Sequence, residues 1–181
     1  MKNASYYIRI TCSLLTICAV VALLLAAVNI FTRDIIAVNA QKEREKAVAD
    51  IYPAMTAMEA QTKEWADGVN TVYAVYENEA CIGYAVDLNS RGFGGDINMI
   101  VGIGADGTVA GVRVIAHSET PGLGSKATLA DYLQNYIGVG EQLTIKQDID
   151  AVSGATISSK AVLAGVNLAL SLGLGGVSAH A

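Results

Sequence analysis

The sequence contains few of the residues that build metal, haem or iron–sulfur sites. Its 181 residues include three cysteines and two histidines, and no C-x-x-C or C-x-x-C-H motif occurs. These absences exclude a haem attachment motif, a complete set of iron–sulfur ligands and a disulfide framework. Neither His117 nor His180 has a neighbour at the spacing of a zinc site, so we predict no metal ligands.

Basic clusters are absent as well. The formal net charge is −5, and no segment concentrates lysine and arginine into a basic patch. A protein that binds nucleic acid usually presents such a patch, because contacts to phosphate contribute much of its affinity. We therefore expect no nucleic-acid partner.

One segment lacks charge altogether, since no Asp, Glu, Lys or Arg occurs between Arg9 and Arg33. As a helix, residues 10–32 are long enough to cross the ~30 Å hydrocarbon core of a bilayer. We predict a transmembrane helix there, after a cytoplasmic N-terminus at residues 1–9. A cleaved signal peptide is the alternative, although its apolar region is only about 7–15 residues long. Basic residues flank the segment on both sides, so the positive-inside rule does not decide its orientation.

The segment that follows has the composition of a solvated helix. Residues 33–65 are therefore predicted to form a helical stalk or linker. The helix is expected to run to about Met58, with a kink or an end at Pro53, because proline has no N–H to donate.

The remaining chain, residues 66–181, is predicted to form one domain. Runs of β-forming residues separated by turns predict hairpins over 71–86 and 98–115. Helices are predicted over 125–137 and 157–172 from their apolar spacing. The fold class is therefore α+β, an antiparallel sheet packed by helices, preceded by a single N-terminal transmembrane helix.

The most specific motif lies before the last predicted helix. Residues 150–156 read D-A-V-S-G-A-T. They resemble the signature D-x-x-S/T-G-A-T, at which a flavin transferase attaches FMN to the threonine through a phosphoester. The alternative is a polar turn that opens a helix, with Ser153 or Thr156 as its N-cap.

Two further blocks precede this motif in a fixed order. Residues 92–95 read G-F-G-G, a predicted hairpin follows, and residues 119–126 read E-T-P-G-L-G-S-K. With S-G-A-T they resemble the FMN-binding domain of the Rnf complex G subunit and of its relative, the C subunit of the sodium-pumping NADH:quinone reductase. The resemblance covers roughly residues 66–173. We expect the G subunit to be the closer relative, because the C subunit has a longer region before the domain.

The resemblance implies that FMN is bound covalently at Thr156. The phosphate is expected to lie against the start of the last helix, near Ser153, Gly154, Ala155, Ser158 and Ser159. Ser158 and Ser159 are expected to donate hydrogen bonds to it. The isoalloxazine ring is expected to be wrapped by Glu119, Thr120, Leu123 and Gly124.

Several of these roles have alternatives. Lys126 is predicted to neutralise the charge of the phosphate or of the reduced flavin. The alternative is that Lys126 is only an exposed residue at the start of a helix. The alternative for Glu119 is an acidic residue in a solvated loop, without contact to the flavin. Tyr132 and Tyr136 fit a helix core better than a stack on the flavin. We expect the flavin transferase to recognise Asp150 during attachment.

The same resemblance implies an electron-carrying subunit of an Rnf-type complex. Such a complex couples electron transfer between ferredoxin and NAD to translocation of Na⁺ or H⁺. The implied partners are the other membrane and peripheral subunits, a flavin transferase during maturation, and membrane lipid. The FMN domain is expected on the extracytoplasmic side of the bacterial cytoplasmic membrane, with no catalytic residue and no independent catalysis. The alternatives are a stand-alone membrane-anchored FMN carrier and a non-redox anchored binding module in which Thr156 only caps a helix.

Overall fold

The computed structural model describes residues 2–145 and 148–174 and divides the chain into two compact units, Met1–Lys42 and Glu43–Ala181. The first unit is helical. Its helix belongs to α1, Lys2–Ile51, whose last residues are part of the second unit. Within α1, Tyr6–Arg33 is long and apolar enough to cross a membrane, and this stretch includes the predicted span. A signal sequence meets the same criteria of length and composition.

The helix α1 ends earlier than the sequence predicts. It stops at Ile51, because Pro53 cannot continue the pattern of helical hydrogen bonds. Of the two outcomes predicted at Pro53, the end of the helix is confirmed, and a kinked helix that continues to about Met58 is wrong. Residues Ala57–Ala60 instead form strand β1, which pairs with the next strand of the sheet.

The second unit is built on one antiparallel sheet whose five strands lie in sequence order. Both predicted hairpins are confirmed, because neighbouring strands are joined by short turns such as Asp106-Gly107, where Gly107 has φ +84°. The strands after β1 are β2 Val69–Glu77, β3 Ala80–Arg91, β4 Asp96–Gly104 and β5 Val109–Ala116.

Both faces of the sheet are covered, so its central strands are apolar on both sides. On one face, Val86 and Leu88 of β3 belong to the same core as Val162 of the last helix. On the other face, Ala85 of β3 packs in a second core with Val48 of α1. Alternate residues of one strand therefore serve two cores, and the α+β fold class is confirmed.

The connection after β5 differs from its prediction. Residues 125–137 do not form one helix but two 3-10 turns, Gly124–Thr128 and Gln134–Tyr136, around the short helix α2, Ala130–Leu133. The break lies at Leu129, whose extended backbone has φ −76° and ψ 148°.

The last helix, α3, runs from Thr156 to Ser171 and confirms the prediction over 157–172. Before it, Ile145 forms an isolated β-bridge with Ile149. The end of the predicted domain, residues 175–181, lies outside the described residues.

Candidate functional site

The three sequence blocks meet around a cleft of about 310 Å³. One wall comes from the G-F-G-G loop between β3 and β4, another from the loop after β5, and the third from the start of α3. The lining is mainly apolar and consists of Phe93, Glu119, Thr120, Leu123, Gly124, Gly154, Ala155, Thr156, Ile157 and Ser158.

The buried carboxyl group of Glu119 holds these three segments together. One oxygen, Oε1, accepts the backbone N–H of Gly94 at 3.1 Å, and the other, Oε2, accepts the hydroxyl of Ser158 at 2.5 Å. The residue is only 4% exposed, so the alternative of a solvated loop acid is wrong. A buried carboxyl group with two donors is a structural anchor, because breaking either bond leaves a polar group unpaired.

The G-F-G-G loop can lie this close to Glu119 only because of its glycines. A Cβ added at Gly94 would collide with the carbonyl group of Ser118. The backbone of the loop therefore packs directly on the segment after β5, which brings Phe93 to the mouth of the cleft.

The first turn of α3 exposes groups that are free to bind a ligand. Its N-cap is Ala155, and no side chain caps the helix, so the alternative of Ser153 or Thr156 as N-cap is wrong. In the described part of the chain, the backbone N–H groups of Thr156, Ile157 and Ser158 have no acceptor. The exposed hydroxyl of Thr156 has no hydrogen-bond partner there either. Such N–H groups at a helix start attract anions.

Ser158 and Ser159 differ from their predicted role as donors to the phosphate. The hydroxyl of Ser158 lines the cleft but donates its proton to Glu119, so this proton is not directed to a phosphate. Ser159 is fully buried, does not line the cleft, and accepts the N–H of Val152 at 3.0 Å. Ser159 therefore supports the turn from beneath. Ser153 is exposed and lies outside the cleft lining.

Two other candidates lie away from the cleft. Lys126 is exposed on the first 3-10 turn and is not part of the cleft lining, so its role at the phosphate stays a prediction. Asp150 is exposed in a separate groove of about 510 Å³, beside Tyr132 and Asn135.

Tyr132 and Tyr136 belong to the core, which is the role that the sequence favoured over a stack on the flavin. Tyr136 is fully buried, and its ring meets that of Tyr132 edge-on at a centroid distance of 5.8 Å. Burial raises the pKa of Tyr136 well above its ordinary value, and the hydrogen bond with Tyr132 raises it further. Neither tyrosine lines the cleft.

Two lining residues were not predicted. Phe93 and Ile157 are 70% and 52% exposed although they are large and apolar. Each stands next to residues that the motifs identify, so position in a motif was the available signal. The sequence does not show whether their side chains line the cleft, because this depends on the geometry of the turns.

Comparison with known proteins identifies the family. A family model described as an FMN-binding domain matches residues 92–171. The G subunit of the ion-translocating oxidoreductase complex of Methanosarcina acetivorans is 31% identical over 173 residues, covering 90% of this chain and 92% of that protein. The G subunit of the proton-translocating ferredoxin:NAD(+) oxidoreductase complex of Clostridium ljungdahlii is 28% identical and covers 93% and 92%. The crystal structure of Shewanella oneidensis NqrC covers 67% of this chain and 68% of that chain at 22% identity, with a TM-score of 0.46.

The similarity to the Methanosarcina protein extends over almost the whole of both chains, and the FMN-binding match covers all three blocks around the cleft. The chain therefore belongs to the family of G subunits of ion-translocating, Rnf-type oxidoreductase complexes.

Proposed function

We propose that this chain carries FMN covalently on Thr156 and relays electrons as the G subunit of an Rnf-type complex. The observation that supports this most strongly is the Thr156 hydroxyl at the start of α3, which has no partner among the described residues and lies on the edge of an apolar cleft. The signature D-A-V-S-G-A-T ends at this hydroxyl.

The residues around the cleft fit FMN. The volume of about 310 Å³ lies at the lower end of the usual range for small-molecule sites. Phe93, Leu123 and Ile157 provide apolar surface for a planar ring, while Thr120 and Ser158 provide polar atoms. The free N–H groups at the start of α3 suit a phosphodiester, which keeps one negative charge.

Attachment is proposed to be catalysed by a flavin transferase that uses FAD. The oxygen of Thr156 forms a bond to the phosphorus of the FMN half. The bond between that phosphorus and the bridging oxygen breaks, AMP leaves with this oxygen, and the threonine proton passes to solvent. The transferase is proposed to recognise Asp150, because this residue is exposed in a groove separate from the cleft.

The task of the chain's own residues is to bind and orient the cofactor. Bound FMN supplies the electron-transfer chemistry. Glu119 and Gly94 keep the cleft wall in place, and apolar side chains limit the access of water to the ring. We expect no general acid or base in this subunit and no independent catalysis.

At the level of the complex, we propose electron transfer between ferredoxin and NAD coupled to translocation of Na⁺ or H⁺. The Clostridium relative is named for such a reaction. The stretch Tyr6–Arg33 is proposed as a single membrane anchor in the bacterial cytoplasmic membrane, with the FMN domain outside the cytoplasm. Alkaline phosphatase fused after Leu174 tests this side, because it is active only outside the cytoplasm.

The covalent site is tested by co-expression of the full chain with a flavin transferase, followed by flavin fluorescence of the denatured protein band. The wild type should fluoresce and Thr156→Ala should not. Thr120→Ala is the matched control, because it removes a threonine hydroxyl from the same cleft and should keep the label. No label in the wild type would refute covalent FMN, and a label in Thr156→Ala would move the site to Ser158 or Ser159.

The complex is tested by purification from native membranes. Recovery of the chain with other membrane and peripheral subunits supports the Rnf-type assignment. Recovery as a lone, flavin-labelled chain would instead favour a stand-alone membrane-anchored carrier. A colourless domain after co-expression would favour a non-redox binding module.

A further inference from the structure

We propose that Lys160 binds the phosphate of the threonine-linked FMN. This inference rests on the proposed function and adds a binding residue to it. The sequence motifs pointed to Lys126 for this task, whereas the geometry around Thr156 points to Lys160.

The first observation is a second cleft, of about 570 Å³, which shares only Thr156 with the first. It lies between α3 and the segment at Leu143, Thr144 and Ile145. The side chain of Asn167 holds this segment on α3, since it accepts the N–H of Leu143 at 2.9 Å and donates to its carbonyl group at 2.8 Å. Thr156 therefore lines both clefts, and a group attached to its oxygen has access to each of them.

Lys160 lines this second cleft together with Thr156. The two residues are four apart in α3, which places their side chains on the same helix face, roughly 5–6 Å apart at Cβ. Side chains in an α-helix lean toward its N-terminus. The ammonium group of Lys160 can therefore reach the turn that carries the Thr156 hydroxyl.

Lys160 is exposed and also lines a groove that includes Asp67, with which it forms no ion pair. Lys160 is the only charged residue of α3, and within residues 2–145 and 148–174 it forms no ion pair or hydrogen bond through its side chain. No other described lysine or arginine lines either of the two clefts at Thr156. A phosphodiester on Thr156 would give this exposed charge an anionic partner.

The test compares Lys160→Gln with Lys126→Gln in the full chain. Lys126 is the matched control, because it is also an exposed lysine without a side-chain partner in the described residues, yet it lines neither cleft. Two readouts are needed: the initial rate of FMN attachment by purified flavin transferase with FAD, and the ³¹P chemical shift of the fully labelled protein. Lys160→Arg tests whether the charge alone is sufficient.

We expect Lys160→Gln to slow attachment about fivefold, the effect of one partly exposed ion pair, and to move the ³¹P resonance. Lys126→Gln should change neither, and Lys160→Arg should restore both. A ³¹P resonance that is unchanged in Lys160→Gln overturns the inference, even if attachment slows, because the lysine then contacts the transferase. A shift in Lys126→Gln alone overturns it in favour of Lys126. A wild type that never acquires flavin overturns the proposed function itself, which is a distinct result.

Discussion

Ser158 Oγ donates a 2.5 Å hydrogen bond to Glu119 Oε2, and this buried bond joins the first turn of α3 to the loop after β5. The two residues are 39 positions apart in the sequence. The second oxygen of the same carboxyl group reaches the G-F-G-G loop through the N–H of Gly94. A single side chain thus sets the distances among the three walls of the cleft.

Removing this carboxyl group should loosen the whole site. We expect Glu119→Ala to lower the free energy of unfolding by about 2–4 kcal/mol, because it leaves the Ser158 hydroxyl and the Gly94 N–H without acceptors. Denaturant unfolding of the full chain in detergent measures the loss. The exposed Glu141 offers a control, since Glu141→Ala should change the value by less than about 0.5 kcal/mol. Additive effects of Glu119→Ala and Ser158→Ala in a double-mutant cycle would contradict a direct coupling.

Thr156 should be almost irrelevant to the stability of the flavin-free chain. Its hydroxyl caps nothing, so Thr156→Ala should change the free energy of unfolding by less than about 0.5 kcal/mol. The loss of a genuine N-cap typically costs about 1 kcal/mol. Ser159→Ala is the contrast, because it removes the acceptor of the Val152 N–H and should cost about 1–3 kcal/mol. The same unfolding experiment on unlabelled protein decides between them.

Gly154 should not tolerate a side chain. Its φ of +79° favours glycine, and an added Cβ would lie 2.9 Å from Cδ1 of Leu123 in the cleft wall. Gly122 has a similar φ of +74° but open space around it. Gly122→Ala should therefore cost about 1–2 kcal/mol through backbone strain alone, and Gly154→Ala should cost a similar amount, because the half-exposed Leu123 side chain can shift away from the added Cβ. Only Gly154→Ala should also reduce FMN attachment, and equal effects of the two variants on attachment would contradict this assignment.

The far side of the sheet depends on a buried ion pair. Arg44 Nε lies 2.6 Å from Asp87 Oδ2, and Oδ1 of the same carboxylate accepts amide hydrogens of Asn70 and Asn98 at 2.9 Å. We expect Asp87→Ala to cost at least about 2 kcal/mol, because Arg44 Nε and the Asn70 amide lose their acceptor and the Asn98 amide loses one of three. The partial exposure of Arg44, at 29%, reduces the penalty on its own charge.

The matched control for this pair is Arg91, which lies 3.8 Å from Asp96 at the surface. Arg91→Ala should cost less than about 1 kcal/mol, as is usual for exposed ion pairs. Thermal unfolding of the two variants side by side measures the difference. Similar melting temperatures for Asp87→Ala and Arg91→Ala would show that the buried network does not contribute.

The buried tyrosines should make the fold sensitive to alkali. Burial raises the pKa of Tyr136 and Tyr52 above the value of about 10 found in unfolded chains. Their contribution to stability is complete below pH ~10 and is lost as the pH rises toward the folded-state pKa, because only the unfolded chain then ionises. Tyr136→Phe should therefore lessen the fall in unfolding free energy above pH ~10. An unchanged slope would contradict this, and phenolate absorbance of the folded chain checks the pKa directly.

Much of this protein was predictable because the relevant signals are local. An uncharged apolar run predicts a helix that can cross a membrane, and short β-forming runs with turns predict both hairpins. The three blocks around Thr156 indicate FMN by their residues and their order. Pro53 correctly marked an end of α1 as one of two outcomes, whereas edge strand β1 was not predicted, because it is stabilised by pairing with β2.

By itself, the sequence determined the family, the fold class and the threonine that is proposed to carry FMN, since each depends on residues that are contiguous or in a fixed order. The tertiary structure alone decided the burial of Glu119, the direction of the Ser158 hydrogen bond, the position of Ser159 beneath the turn and the cleft that Lys160 shares with Thr156. The physical reason is that burial, donor direction and cleft shape arise where segments distant in sequence pack together.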